Sequence, residues 1–334
     1  MVLAVGVIGT GNIGTDHVRR IASETGGARV AAVFDVDVAR ATAVAQPHDA
    51  AVHRSAEAVI TDPAVGAVVI ASPGDTHADL VLACIAADKP VLCEKPLATT
   101  SESARKAMEA EVAHGRRLVQ VGFMRRYDAA YREVKAALDG GVIGDALMVH
   151  CVHRNADVPP FFTGDMSLTD SVVHEVDSVR WLLGREITAA TVLAPPHSPL
   201  AAENLRDPLF VLLETAGGAL VDVEIFVTAQ YGYDVRCEVV GASGTAALET
   251  PSVVTVTGAG GRGRAVPSDW KLRFAAAYRD EVQAWIDSVA AGVPEGPSAW
   301  DGYAGSAVTE ACVESLAAGA RVPVQLVERP ALYT

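Results

Sequence analysis

The run Leu3–Ile8 is apolar or small throughout and leads straight into Gly9-Thr-Gly11-Asn-Ile-Gly14. Few chains can accommodate that order of events. A short strand must end in a tight turn, and a helix must begin at once. In a GxGxxG turn the first glycine permits the bend and the second lets a pyrophosphate approach the backbone. The third lets helix and strand pack closely. Free N–H groups and the dipole at the helix start then favour a phosphate. Gly9, Gly11 and Gly14, with the intervening Asn12 and Ile13, are therefore expected to bind a dinucleotide. The alternative, a glycine-rich turn with no nucleotide, is disfavoured because the motif both follows a strand and opens a helix.

A second apolar run, 30–34, ends at Asp35, about 20 residues beyond the last glycine, where an acidic side chain binds the adenosine ribose hydroxyls. A carboxylate there repels a 2′-phosphate, so NAD is expected rather than NADP. Asp37, two residues on, reads as a turn residue or helix cap.

Further short apolar runs at 67–71, 91–93 and 118–121 alternate with helical stretches such as 13–22, 77–87 and Ser101–His114. Runs apolar on both faces, separated by helices, predict a parallel doubly wound sheet. After about residue 122 the pattern changes. Helices at 127–138 and 168–183 flank a strand, Ala146–Arg154. Strand-like runs then follow at 188–194, 210–214, 219–226, 235–240 and 246–249, with a hairpin turn at 241–244. Helices return at 274–290 and 300–318, and the Gly/Arg stretch 258–264 reads as a mobile loop. The expectation is an α/β chain with a Rossmann domain over 1–122. An α+β domain over 123–334, built on a largely antiparallel open sheet, would bind substrate and oligomerise.

With 27 basic and 41 acidic residues the net charge is −14. Such a chain is repelled by nucleic acid and by anionic membranes. No apolar run of about 18 residues suggests a transmembrane helix. The apolar start lacks a basic leader, which argues against a signal peptide. Five cysteines without a CxxC pair favour reduced thiols in a cytoplasmic protein, and no closed metal site is expected.

Glu94-Lys95-Pro96 follows the fifth strand, at the carboxyl edge where open α/β sheets bind ligands. Downstream, Asp170-Ser-Val-Val-His174-Glu-Val-Asp177 falls on the helix expected at 168–183. At that spacing Asp170, His174 and Asp177 would share a face. A histidine flanked by carboxylates suits proton abstraction, with one carboxylate orienting the ring. A salt-bridged surface histidine is the competing reading.

GxGxxG, a strand-end Glu-Lys-Pro and a helical DxxxHxxD together resemble the Gfo/Idh/MocA oxidoreductase family. The segments Phe123-Met-Arg-Arg-Tyr-Asp128, His153-Arg-Asn155 and Tyr231-Gly-Tyr-Asp-Val-Arg-Cys-Glu-Val-Val-Gly241 resemble its inositol-oxidising branch. The resemblance implies that Lys95, Asp170 and His174 are catalytic and that Glu94 and Lys95 also meet the cofactor. His174 would take the hydroxyl proton while hydride leaves the same carbon, and Lys95 would hold the oxygen. Arg125, Asn155, Ser171 and Tyr233 would contact a cyclic polyol. Tetramers assembled through the open sheet face are also implied. His153 stands where that branch leads one to expect an acid, which keeps other inositols, pyranoses and anhydrosugars as alternatives. A non-catalytic NAD(H)-binding regulator is the rival of another class, disfavoured because Lys95, Asp170 and His174 all occur together.

Asp35→Ser is expected to relax the preference for NAD and admit NADP. It should also weaken NAD binding by about 1.5–3 kcal/mol through lost charge-assisted hydrogen bonds. Values of kcat/KM for the two cofactors measure this, and unchanged discrimination would remove Asp35 from the cofactor site.

Overall fold

The computed structural model describes residues 2–248, 255–259 and 261–334. Its contacts divide the chain into two units. One comprises Met1–Phe123, Tyr278–Ser306 and Val327–Thr334; the other comprises Met124–Ala277 and Ala307–Leu326. A single cut at 122/123 does not reproduce this division, because the last two long helices and the C-terminal residues contribute to the first unit.

In the first unit, strands β1 (Leu3–Ile8), β2 (Ala28–Phe34), β3 (Ala51–Val52), β4 (Ala67–Ile70), β5 (Val91–Glu94) and β6 (Val119–Gly122) alternate with helices. These helices are α1 (Asn12–Ser23), α2 (Val38–Ala45), α3 (Ala56–Thr61), α4 (His77–Ala86) and α5 (Ser101–His114). The sheet order is β3-β2-β1-β4-β5-β6 and every neighbouring pair is parallel. The chain reverses its winding between β1 and β4, so the two strand ends open a crevice there. The runs read as uniformly apolar are buried on both faces: every residue of β4, β5 and β6 is buried. Val5, Val7, Val33, Val69 and Leu92 pack with Val18 and Ile21 of α1, and with Val282, Trp285 and Ile286 from the returning segment. Helix starts carry their own caps. Asp37, Ser55 and Thr100 accept hydrogen bonds from the backbone N–H of Arg40, Ala58 and Ser103.

The second unit is built on α6 (Ala129–Asp139), β7 (Ala146–Arg154), α7 (Val173–Leu183), β8 (Ile187–Leu193), β9 (Leu209–Thr215), β10 (Leu220–Phe226), β11 (Asp234–Gly241), β12 (Thr245–Leu248) and β15 (Val322–Pro323). The sheet order is β12-β11-β7-β10-β9-β8-β15. Only β7 and β10 pair in parallel among these neighbours. Alternate residues, such as Val149, Cys151 and His153, are buried on the inner face. The longer helices α8 (Trp270–Ala291) and α9 (Ala299–Ala318) contribute residues to both units.

Two elements differ from expectation. The helix expected at 168–183 opens with a π-helical turn over Ser167–Val172 before α7 begins. Apolar periodicity does not reveal a hydrogen-bond ladder that widens by one residue. The stretch 258–264, expected to be a loop, contributes β14 (Gly261–Arg264), which pairs antiparallel with β13 (Thr255–Gly258). The β-branched Thr255, Val256 and Thr257 favour that pairing. Gly260 and Glu249, the expected end of a strand, lie outside the described residues. All five cysteines are buried free thiols.

Candidate cofactor and substrate sites

The glycine turn joins β1 to α1. Gly9 has φ +89°, and a Cβ built on it would lie 2.6 Å from the backbone of Ala71 and Ser72, just past β4. A Cβ on Gly14 would lie 1.9 Å from the Gly9 carbonyl oxygen. Two strand ends and a helix are thus in backbone contact that any side chain would break. Gly11 differs: a Cβ there meets nothing within 4 Å. It is the N-cap of α1, without a side-chain cap. Glycine at this position leaves room for a ligand rather than for protein, which fits a pyrophosphate over the helix start.

Asp35 follows the last residue of β2. Its Oδ2 accepts from Thr10 N at 2.6 Å and Thr10 Oγ1 at 2.9 Å. Its Oδ1 accepts from Asp37 N at 2.9 Å and Arg40 Nη2 at 2.7 Å. Burial alone would raise its pKa. The hydrogen bonds from Arg40, Asp37 and Thr10 outweigh burial and bring it down to about 2. It is a carboxylate throughout the neutral range, ready to accept from hydroxyls and to repel phosphate.

At the end of β5, Glu94 Oε1 lies 2.7 Å from Nε2 of the fully buried His17 on α1. The ring of His77, at the start of α4, bridges Ser72 O at 2.8 Å and Pro96 O at 2.7 Å. The loops after β4 and β5 are therefore held together by one side chain. Lys95 sits between Glu94 and Pro96, and the Lys95–Pro96 bond is cis.

In the second unit, Glu175 of α7 and Arg125 form an ion pair in which both side chains are 1% exposed. Nδ1 of His153, on β7, lies 3.0 Å from Glu175 Oε1. Burial works against the Glu175 carboxylate, but Arg125 and then His153 outweigh it and hold its pKa below the usual value. The same Nδ1 lies 3.3 Å from Arg125 Nη2, so His153 is held by both members of the ion pair. The His153 ring is 6.4 Å from that of His174 and 5.7 Å, edge-on, from that of Tyr233. Burial raises the pKa of Tyr233, which stays a neutral phenol. Two residues past His153, the Asn155 Oδ1 is buried with no hydrogen-bond partner among the described residues. A buried amide oxygen in that state is open to a donor such as a hydroxyl.

Asp170 and Ser171 lie in the π-helical turn and His174 in the first turn of α7. Such turns recur at functional sites because they displace side chains from ordinary helical spacing. The spacing argument fails for Asp177. That residue is buried and bound by Arg126, with Nε to Oδ2 at 3.0 Å and Nη2 to Oδ1 at 2.5 Å. Among the described residues no group of three or more His, Cys, Asp or Glu could hold a metal ion.

Sequence comparison agrees with this geometry. The NAD-binding Rossmann fold of the Gfo/Idh/MocA oxidoreductase family matches residues 3–123, and the C-terminal alpha/beta domain of the same family matches residues 135–326. The chain belongs to this family. It is 52% identical to inositol 2-dehydrogenase 1 of Saccharopolyspora erythraea over 335 residues, covering 100% of this chain and 99% of that protein. It is 50% identical to inositol 2-dehydrogenase of Pseudomonas fluorescens, covering 100% of both. A crystal structure of myo-inositol dehydrogenase from Lactobacillus casei, in complex with NAD(H) and myo-inositol, superposes with a TM-score of 0.97 at 37% identity and covers 100% of both chains.

Within this family member, the first unit carries Gly9, Gly11, Asn12, Ile13, Gly14, Asp35, Glu94 and Lys95. The second carries Arg125, Asn155, Asp170, Ser171, His174 and Tyr233. The sequence reading missed four supporting residues: His17, Arg40, His77 and Glu175. None had a signal of its own. Glu175 reads as an ordinary helix charge until its burial against Arg125 is seen.

The two glycines of the turn should separate stability from binding. Gly14→Ala is expected to cost about 1–3 kcal/mol or more by overpacking, seen as a lower midpoint in denaturant titration. Gly11→Ala should leave that midpoint nearly unchanged and weaken NAD binding at least tenfold. Equal stability losses in both variants would contradict the assignment of Gly11 to the ligand.

Proposed function

We propose that the chain oxidises a ring hydroxyl of a cyclic polyol, myo-inositol, to the ketone as an NAD-dependent inositol 2-dehydrogenase. The observation that carries this reading is the state of Arg125. Arg125, the most deeply buried arginine among the described residues of the second unit, is neutralised internally by Glu175, so it is not a clamp for an anionic substrate. What remains is mostly uncharged: Asn155, Ser171, Tyr233 and His153, a mixed set of donors and acceptors suited to a ring bearing hydroxyls on its whole rim. Full-length similarity to inositol 2-dehydrogenases supports the same conclusion.

NAD supplies the hydride acceptor. His174 takes the hydroxyl proton as general base, Asp170 supports it or contacts the substrate, and Lys95 holds and polarises the oxygen. Arg125, assigned above to the polyol, acts instead by holding Glu175 and through it His153. A second reading, another inositol isomer or a pyranose, is favoured by His153. An imidazole presents one acceptor where a carboxylate would present two oxygens.

The chain is further proposed to act in the cytoplasm as a homotetramer. The outward face of the second sheet carries Leu212 and Leu220, 39% and 55% exposed, with Met148 opposite Leu220. The pairs His150–Asp222 and Arg154–Glu224 lie on the same face. Apolar residues among satisfied charges suit a face covered by another copy.

Initial rates with NAD on myo-inositol, scyllo-inositol, glucose, xylose and an anhydrosugar test the substrate. A sugar exceeding myo-inositol tenfold in kcat/KM would establish the second reading. His174→Ala and Lys95→Ala should each lower kcat by about 10²–10⁴-fold with NAD titration intact. Near-normal turnover would return either residue to a structural role. Leu212→Lys with Leu220→Lys should shift the mass measured by light scattering from tetramer to smaller species, and an unchanged mass would place the interface elsewhere.

A further inference from the structure

Asp35 is fully engaged by its own chain. Oδ1 accepts from Asp37 N and Arg40 Nη2, and Oδ2 accepts from Thr10 N and Thr10 Oγ1, with Arg40 Nε at 3.4 Å. A carboxylate offers about four lone-pair positions, so a ribose diol needs one of these donors to leave. The Thr10 hydroxyl can rotate away but releases no charge, and the backbone donors of Thr10 and Asp37 cannot leave cheaply. Their N–H groups belong to the glycine turn and to the cap of α2. Arg40 can, because its side chain is 45% exposed while that of Asp35 is 5% exposed. Asp37 Oδ2, 3.7 Å from Arg40 Nη1, offers the guanidinium a second resting place nearby.

We infer that Arg40 is a second specificity-determining residue of the cofactor site. Its guanidinium holds the Asp35 carboxylate until the ribose diol displaces it. It then remains beside the ribose 2′ position as a cation that offsets Asp35 against a 2′-phosphate. Discrimination between NAD and NADP is thus a property of the Asp35–Arg40 pair, not of Asp35 alone. Once Asp35 no longer binds it, the fork is released to bind a phosphate, for which its geometry suits it. This inference rests on the dinucleotide reading of the first unit and not on the identity of the polyol.

Binding of NADH and NADPH to the full-length protein, followed by nucleotide fluorescence, tests it without any turnover. The quantity of interest is the ratio of the NADPH Kd to the NADH Kd in wild type, Arg40→Ala, Asp35→Ser and the double variant. Arg40→Ala should raise the ratio about tenfold or more, the size of one charge-assisted contact, while NADH binding is retained. Asp35→Ser should lower the ratio, and adding Arg40→Ala to it should remove about tenfold of that gain. The effect of Arg40 should shrink as salt rises. A ratio that moves by less than about threefold on removing Arg40 in both backgrounds would overturn the inference, as would an effect insensitive to salt. Because NADH binding is measured in the same titrations, failure of the dinucleotide reading itself would appear separately, as loss of NADH binding by the wild-type chain.

Discussion

The contact between Gly9 and the backbone just past β4 governs the first unit. Strands β1 and β4 stay paired to their last residues, Ile8 and Ile70, but the connections that leave them run in opposite directions, to β2 on one side and to β5 on the other. Yet Gly9 brings one strand end within van der Waals reach of the other. Gly14 then seats α1 on the same turn. With these atoms in place, the N-terminus of α1 points into the crevice and Asp35 reaches Thr10. Helix α1 also delivers His17 to Glu94. The positions of the α1 N-terminus, Asp35 and Glu94 all follow from one close backbone approach.

The second unit is organised by a buried charge. Glu175 and Arg125 are both out of water, and removing one partner from such a pair costs about 3–5 kcal/mol because the other is stranded. The pair also leaves a directional output. Both members reach His153 Nδ1, Glu175 Oε1 at 3.0 Å and Arg125 Nη2 at 3.3 Å, and fix the orientation of its ring. His153 in turn packs edge-on against Tyr233, which packs on Phe274. An unreactive ion pair thereby orients neutral groups. This suits recognition of an uncharged polyol better than direct engagement of the arginine would.

In both units the candidate site residues lie where regular structure is interrupted. In the first, the ends of β1, β4 and β5 carry the glycine turn, Ser72 and Lys95. In the second, the π-helical turn over Ser167–Val172 precedes His174, and Asn155 follows the last residue of β7. The buried Asp207 accepts from Val227 N and Thr228 N and fixes the chain that follows β10. That chain meets Asn155, whose carbonyl accepts from Ala229 N.

The sequence by itself determined the parallel sheet, the glycine turn, the carboxylate that follows β2 and the strand-end lysine. These depend on local periodicity and on residue types for which few substitutes exist. A buried parallel strand must be apolar on both faces, and a turn packed backbone to backbone must be glycine. Asp37 was likewise legible as a helix cap. Tertiary structure alone decided the partners of charged groups. Asp177 looked equivalent to Asp170 on a helical wheel, but Arg126 claims it. Arg125 looked like a substrate contact and is enclosed by Glu175. Arg40 carried no motif and lies on the cofactor carboxylate. The π-helical turn was invisible for a related reason: one shifted hydrogen bond leaves the apolar pattern intact. Pairing of charges depends on which distant segments exclude water around them, and spacing along the chain does not encode that.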